Sequence, residues 1–299
     1  MATVRSGPSA TRPALDALAR SQPESNAWLT LVAATLEAGA DPAWQNAAAS
    51  ATLVPDHAMP VPVLTGATIA LSRKTVDTLL RRLLSLAAAA GGVEAPAQHA
   101  AARSGAFDAL VLLETTINQD HDRLARHATA LALDPEGFAP IAQLASMPLL
   151  QACRARYAAA VPRDWDAGYC PICAAWPAVA EYRGLERARR LRCGRCGGDW
   201  GAIALSCPYC GITDHQQLGS LIPADGGESR KVETCDACHG YIKSLATLRT
   251  WPGDEVGLAD LGSIELDLVA LEHGFHRPAT SAVSLDLRLI DAGSPPRGS

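Results

Sequence analysis

The chain has 299 residues, 48% of them hydrophobic and 19% charged, enough to bury a sizeable core, so global disorder is excluded. Lys and Arg number 26 against 31 Asp and Glu, a net charge of −5 that excludes a generally basic nucleic-acid glove and leaves room only for a local basic patch. Nine cysteines stand out, because eight fall into four Cys-x-x-Cys pairs.

In chain order, residues 1–23 are rich in Ser, Thr, Pro and Ala and read as a flexible N-terminus. Trp28, Leu31, Val32 and Leu36 recur at helical spacing up to Gly39, and Asp41-Pro42 is an N-cap and first-turn proline opening a helix with Trp44. Ser72 starts a stronger helix, with Val76, Leu79, Leu80, Leu83 and Leu84 on one stripe and Gly91-Gly92 closing it. Two more helical stretches follow, Phe107 to Ile117 and Asp120 to Leu133. Asp134-Pro135 caps another, running to Met147-Pro148, and a last helix covers Leu149 to Ala160. Together these predict an all-α domain over 24–162. The most apolar stretch of the chain, Leu83 to Ala90, is too short to span a bilayer, and the first residues lack a continuous apolar segment, so a cytoplasmic protein is expected.

Beyond about residue 165 glycines concentrate and large apolar side chains thin out. Short strands are predicted at Ala178–Tyr182, Trp200–Leu205, Gln217–Ile222, Lys231–Glu233 and Tyr241–Leu245. A closing helix over Leu258 to Glu272 carries Leu261, Ile264, Leu268 and Leu271 on one face. Cys-Pro-x-Cys followed by Cys-x-x-Cys occurs twice, at 170–196 and 207–238.

The four pairs are Cys170/Cys173, Cys193/Cys196, Cys207/Cys210 and Cys235/Cys238. Each supplies two soft donors from one tight knuckle, so four knuckles make two Cys₄ sites. Pro171 and Pro208 fix φ inside two knuckles, and Gly197 and Gly211, each just after the second cysteine of its own knuckle, allow positive φ. Sequential pairing leaves 19 residues between Cys173 and Cys193 and 24 between Cys210 and Cys235, whereas interleaved pairing needs 33 and 38. Shorter closures cost less entropy and favour the sequential pairing. Metal binding also accounts for a thin core, since a structural Cys₄ ion supplies an apparent ~10–16 kcal/mol. Zinc and iron both suit this donor set.

Other residues read more plainly. Cys153 is a core thiol on a helix, and His121 and His127, six apart, do not share a helical face. Tyr241 is expected to pack on a knuckle, with Lys243 paired to a thiolate or carboxylate. Arg183, Arg187, Arg189, Arg190, Arg192 and Arg195 cluster between the first two knuckles, where they offset thiolate charge in solvent or meet an acidic or nucleic-acid partner. No nucleophile–base pair, phosphate loop or paired carboxylate set is visible, so no catalytic residues and no enzyme are expected.

With the knuckles in this order the chain resembles the FdhE family of formate dehydrogenase accessory proteins. The resemblance is carried by Cys170-Pro171-Ile172-Cys173, Cys193-Gly194-Arg195-Cys196, Trp200, Cys207-Pro208-Tyr209-Cys210 and Glu233-Thr234-Cys235-Asp236-Ala237-Cys238 with Tyr241 and Lys243. The stretch from Asp260-Leu261 to Asp267-Leu268 adds to it, while His239 stands where glycine would be more ordinary. The resemblance implies an α+β protein. An all-α domain would precede two rubredoxin-like, zinc-ribbon-type modules at 166–205 and 206–275, the second with the closing helix, and a tail would cover 276–299. It implies two rubredoxin-type irons per chain, with zinc as the alternative. It also implies a cytoplasmic, chaperone-like role in maturing the catalytic subunit of formate dehydrogenase. The alternatives are a nucleic-acid-binding zinc ribbon, which the missing aromatic platforms oppose, and a rubredoxin-type electron carrier.

Overall fold

The computed structural model describes residues 11–54, 61–105, 107–223 and 227–293, and the chain falls into two units. The first takes residues up to 58, 64–156 and from 284 on; the second takes 59–63 and 157–283.

The first unit is helical because its apolar residues repeat at helical spacing between strong start and stop signals. Its helices are α1 (Thr11–Ser21), α2 (Asn26–Ala38), α3 (Pro42–Ala49), α4 (Arg73–Ala89), α5 (Ala95–Arg103), α6 (Ala109–Ile117), α7 (His121–Ala130) and α8 (Pro135–Tyr157). Asp41 caps α3 through a 2.8 Å bond from the Ala43 N–H, and Asp108 and Asp120 cap α6 and α7 in the same way. The α4 stripe Val76, Leu79, Leu80, Leu83 and Leu84 is buried, as its spacing requires, and Trp44 and Cys153 are buried with it.

Several sequence expectations change here. Residues 11–21, expected to be flexible, form α1 with Leu15 buried; residues 1–10 lie outside the described residues. The break expected at Met147-Pro148 is absent, and α8 runs through both Pro140 and Pro148. The unit is also not purely helical. Thr68–Leu71 (β1) pairs in parallel with Arg288–Asp291 (β8), so the segment expected to be a tail returns as a strand. Leu289 N–H bonds Glu114 at 2.8 Å and the Asn118 side chain bonds the Leu287 backbone, which anchors that strand on α6.

The second unit carries one six-stranded sheet: β2 (Val179–Arg183), β3 (Ala188–Arg192), β4 (Asp199–Gly201), β5 (Leu218–Leu221), β6 (Arg230–Cys235) and β7 (Gly240–Thr247). Its order is β4-β3-β2-β7-β6-β5. Each repeat of the sequence builds an antiparallel three-stranded ribbon, and the two are joined by parallel pairing of β2 with β7, Val179 opposite Lys243. The modules read from the sequence are therefore present as ribbons but share a sheet.

One face of that sheet is covered by α9 (Val256–Leu261) and α10 (Ile264–Glu272). Val179, Val232, Tyr241, Leu245, Val256, Leu266 and Ala270 form the small core between them. The closing helix differs from expectation in which face it buries. It is interrupted at Gly262-Ser263, and the face that packs on the sheet is that of Leu266 and Ala270, with Ile264, Leu268 and Leu271 exposed. Strand β3 was not foreseen. Its run Ala-Arg-Arg-Leu-Arg hides its period behind long cations, yet Arg189 and Arg192 are buried beside Leu191.

Candidate metal centres

The four knuckles share one backbone design. In the first three the cysteine N–H donates to the carbonyl five residues on, Cys170 to Ala175, Cys193 to Gly198 and Cys207 to Ile212, and the same cysteine's carbonyl accepts from the residue four on. In the fourth, Cys235 pairs with Gly240 at the end of the β6–β7 hairpin. The residue after each second cysteine lies at positive φ: Ala174 at 58°, Gly197 at 71°, Gly211 at 75° and His239 at 53°. The sequence exposed this requirement at the two glycines and concealed it at Ala174, where an L residue carries the left-handed cost.

This geometry brings the eight thiols into two groups, Cys170, Cys173, Cys193 and Cys196 in one and Cys207, Cys210, Cys235 and Cys238 in the other. Within each, the sulfurs all lie within 4.8 Å of one another, and the knuckles pair sequentially. The separations of Cys170 from Cys196 and of Cys173 from Cys193 are both 3.5 Å; Cys207 to Cys238 is 3.6 Å and Cys210 to Cys235 is 3.7 Å. A disulfide needs about 2.05 Å, so these are free thiols. Four sulfurs about 2.3 Å from a central ion stand at tetrahedral edges of about 3.8 Å. The donor sets therefore fit a tetrahedral ion, zinc or iron. His121, His127 and His239 join no such group among the described residues.

The protonation balance points the same way. Burial pushes the Cys170 thiol well above its ordinary range. Cys193, hydrogen-bonded by Cys170, Cys173 and Cys196, lies well below it. Burial also lifts Cys238 to about 11. Buried sulfurs crowded this closely cannot all ionise unless a cation shares their charge.

Close backbone approaches fix the surroundings. A Cβ on Gly198 would stand 3.1 Å from the sulfurs of both Cys170 and Cys196, and one on Gly168 would overlap the Pro208 carbonyl. The rings of Trp165, Tyr169, Trp176 and Tyr209 follow one another edge to face at centroid distances of 5.4, 6.1 and 5.3 Å. This chain of rings leads from the flanks of the first knuckle to the middle of the third.

The arginines between the first two knuckles are largely committed to carboxylates. Glu181, fully buried on β2, accepts from Arg183 and Arg192, and also from Thr247 and the Trp251 N–H. Arg192 further reaches the Gly198 carbonyl, behind the first sulfur group. Arg189 pairs with Glu233 at 2.8 Å, and Arg183 and Arg190 with Asp199. The expectation of a solvated cluster is thus corrected for these four: they cross-link strands. Lys243 chooses carboxylates over thiolates, with Nζ 2.7 Å from Asp260 and 2.6 Å from Asp267. Arg277 joins the same two aspartates, and Tyr241 packs in the core while its hydroxyl donates to Asp267.

Comparison with known proteins agrees with this architecture. Residues 205–287 match the family model described as "FdhE, C-terminal domain". The curated "Protein FdhE homolog" of Aquifex aeolicus is 34% identical over 114 residues, 37% of this chain and 40% of that protein. The Stutzerimonas stutzeri homologue is 35% identical over 117 residues, 38% of this chain and 37% of that protein. The matches thus span about two-fifths of these relatives' length. A crystal structure of the FdhE protein from Pseudomonas aeruginosa superposes with a TM-score of 0.56 at 21% identity, covering 91% of this chain and 93% of that one, a likeness of fold. The FdhE resemblance carried by the knuckle motifs therefore stands, and it is strongest over residues 205–287, which match the FdhE C-terminal family model.

Proposed function

We propose that this protein is a metal-binding accessory factor that acts in the cytoplasm on the catalytic subunit of formate dehydrogenase during its maturation, and that it is not itself an enzyme. One observation carries the reading: two preformed Cys₄ groups on joined ribbons, within a chain whose similarity to FdhE proteins includes the second group. In this reading Cys170, Cys173, Cys193 and Cys196 hold one ion and Cys207, Cys210, Cys235 and Cys238 the other. Iron of the rubredoxin type is the favoured metal, zinc the alternative. A bound ion supplies a rigid tetrahedral node, and with iron a centre able to change valence without rearranging ligands.

The chain's own residues support such a platform. The Arg–carboxylate lattice holds the two ribbons as one sheet, and Lys243 with Asp260 fastens the closing helices onto it. Engagement of four of the six clustered arginines leaves less free positive charge for nucleic acid, which counts against that alternative. Among the described residues no helix is long and apolar enough to cross a membrane.

The reading is tested by co-purification. A tagged formate dehydrogenase catalytic subunit, expressed with this chain, should retain it, and the Cys207→Ser variant should lose that retention or fail to accumulate. Absence of binding to both the cofactor-free and the completed subunit would overturn the proposal.

A further inference from the structure

The two sulfur groups differ in access. In the first, all four cysteines are buried, each fully enclosed, and the Gly198 backbone lies against two of the sulfurs. In the second, Cys207 and Cys235 are buried, Cys238 is half-buried and Cys210 is exposed. A cavity of about 220 Å³ also ends on Cys207 and Cys235, with Pro208, Tyr209 and Gly240 in its wall. The second group can therefore be approached from solvent at Cys210 and, less openly, at Cys238. The first offers no such approach.

Ligand substitution at a four-coordinate thiolate centre begins when an entering donor comes within bonding distance of the ion, about 2.3 Å for sulfur. At the first group this requires local opening of a packed knuckle, which adds the free energy of that opening to the barrier. At the second it requires only displacement of a ligand already at the surface.

We propose that the centre formed by Cys207, Cys210, Cys235 and Cys238 is an exchange centre whose ion is surrendered to an entering thiolate through Cys210, while the Cys170 centre is permanent. In the first step, the bond from the ion to the Cys210 sulfur breaks as one to the entering thiolate sulfur forms. The bonds to Cys238, Cys207 and Cys235 are then exchanged in turn for bonds to further thiolates, and the ion leaves. Each freed cysteine thiolate takes up, through solvent, the proton that the entering thiol gave up, and no electrons move. The entering donor is a small thiol or a cysteine side chain of another protein. This inference rests on reading both groups as metal centres.

The test uses the full chain loaded with two equivalents of zinc and mixed with excess glutathione and a chromogenic chelator. Release should follow two phases, one ion in each, the second slower by roughly a hundredfold or more. Alkylation of the unaltered chain, read by peptide mass spectrometry, should label Cys210 and Cys238 during the fast phase and leave Cys170, Cys173, Cys193 and Cys196 unlabelled. The Cys210→Ser variant should lose the fast-released ion and keep the slow one. Release of both ions in one phase, or early labelling at the Cys170 group, overturns the inference while leaving the metal reading intact. A chain that takes up no zinc overturns both.

Discussion

Glu181 shows how single side chains hold the ribbons together. Burial pushes its carboxyl up, and hydrogen bonds from Arg183 and Arg192 more than reverse that, so it stays ionised below the ordinary value of 4.5. A carboxylate lowered in this way contributes stability that is complete above about pH 4.5 and lost as pH falls through its folded value. Glu181→Gln strands Arg192, itself only 1% exposed, and should cost about 3–5 kcal/mol. Thermal melts from pH 7 to pH 3 should show the unaltered chain losing stability in acid, and the variant weaker at neutral pH with a shallower acid dependence. Equal stability of the two at pH 7 would mean that the pair is not formed. Lys243 has the same character on the same face of the sheet, two residues along β7 from the partner of Glu181: a buried cation balanced by two aspartates.

At the scale of elements the knuckle is the unit that repeats, and its left-handed residue is the position to probe. Gly211 and Gly197 have similar φ, but a Cβ on Gly211 meets nothing within 4 Å, whereas one on Gly197 would stand 2.5 Å from the Gly253 backbone. Gly211→Ala should therefore cost only the conformational term, about 1–2 kcal/mol. Gly197→Ala should cost clearly more, because backbone on both sides has to shift. Denaturant unfolding of the two variants measures the difference, and equal costs would place Gly253 elsewhere.

Knuckles, capped helices and the sequential pairing were all legible because each rests on a local rule: spacing, a capping aspartate, the entropy of closure. What stayed hidden depends on partners far along the chain. Strand β3 is written in arginines whose carboxylates, Glu181 and Glu233, lie on other strands. Strands β1 and β8 pair across more than two hundred residues, and neither has a pattern strong enough to announce itself alone. The closing helices were legible but their buried face was not: Leu266 and Ala270 pack on the sheet, while the more apolar stripe of Ile264, Leu268 and Leu271 points outward. At the site, all eight sulfurs were legible; the unequal exposure of the two groups was not, because it depends on what packs over each.

Over the whole molecule, the two units draw stability from different sources. The first buries long apolar helical stripes, while the second, with a small core between sheet and helices, is expected to draw on the ions. The central claim is therefore the metal count. Elemental analysis together with native mass spectrometry of the chain, purified without added metal, should find two ions per chain, and stripping them should unfold residues 157–283 while the helical unit stays folded. A second unit that remains folded with no ion bound, or one whose eight cysteines are found joined as disulfides, would contradict the account.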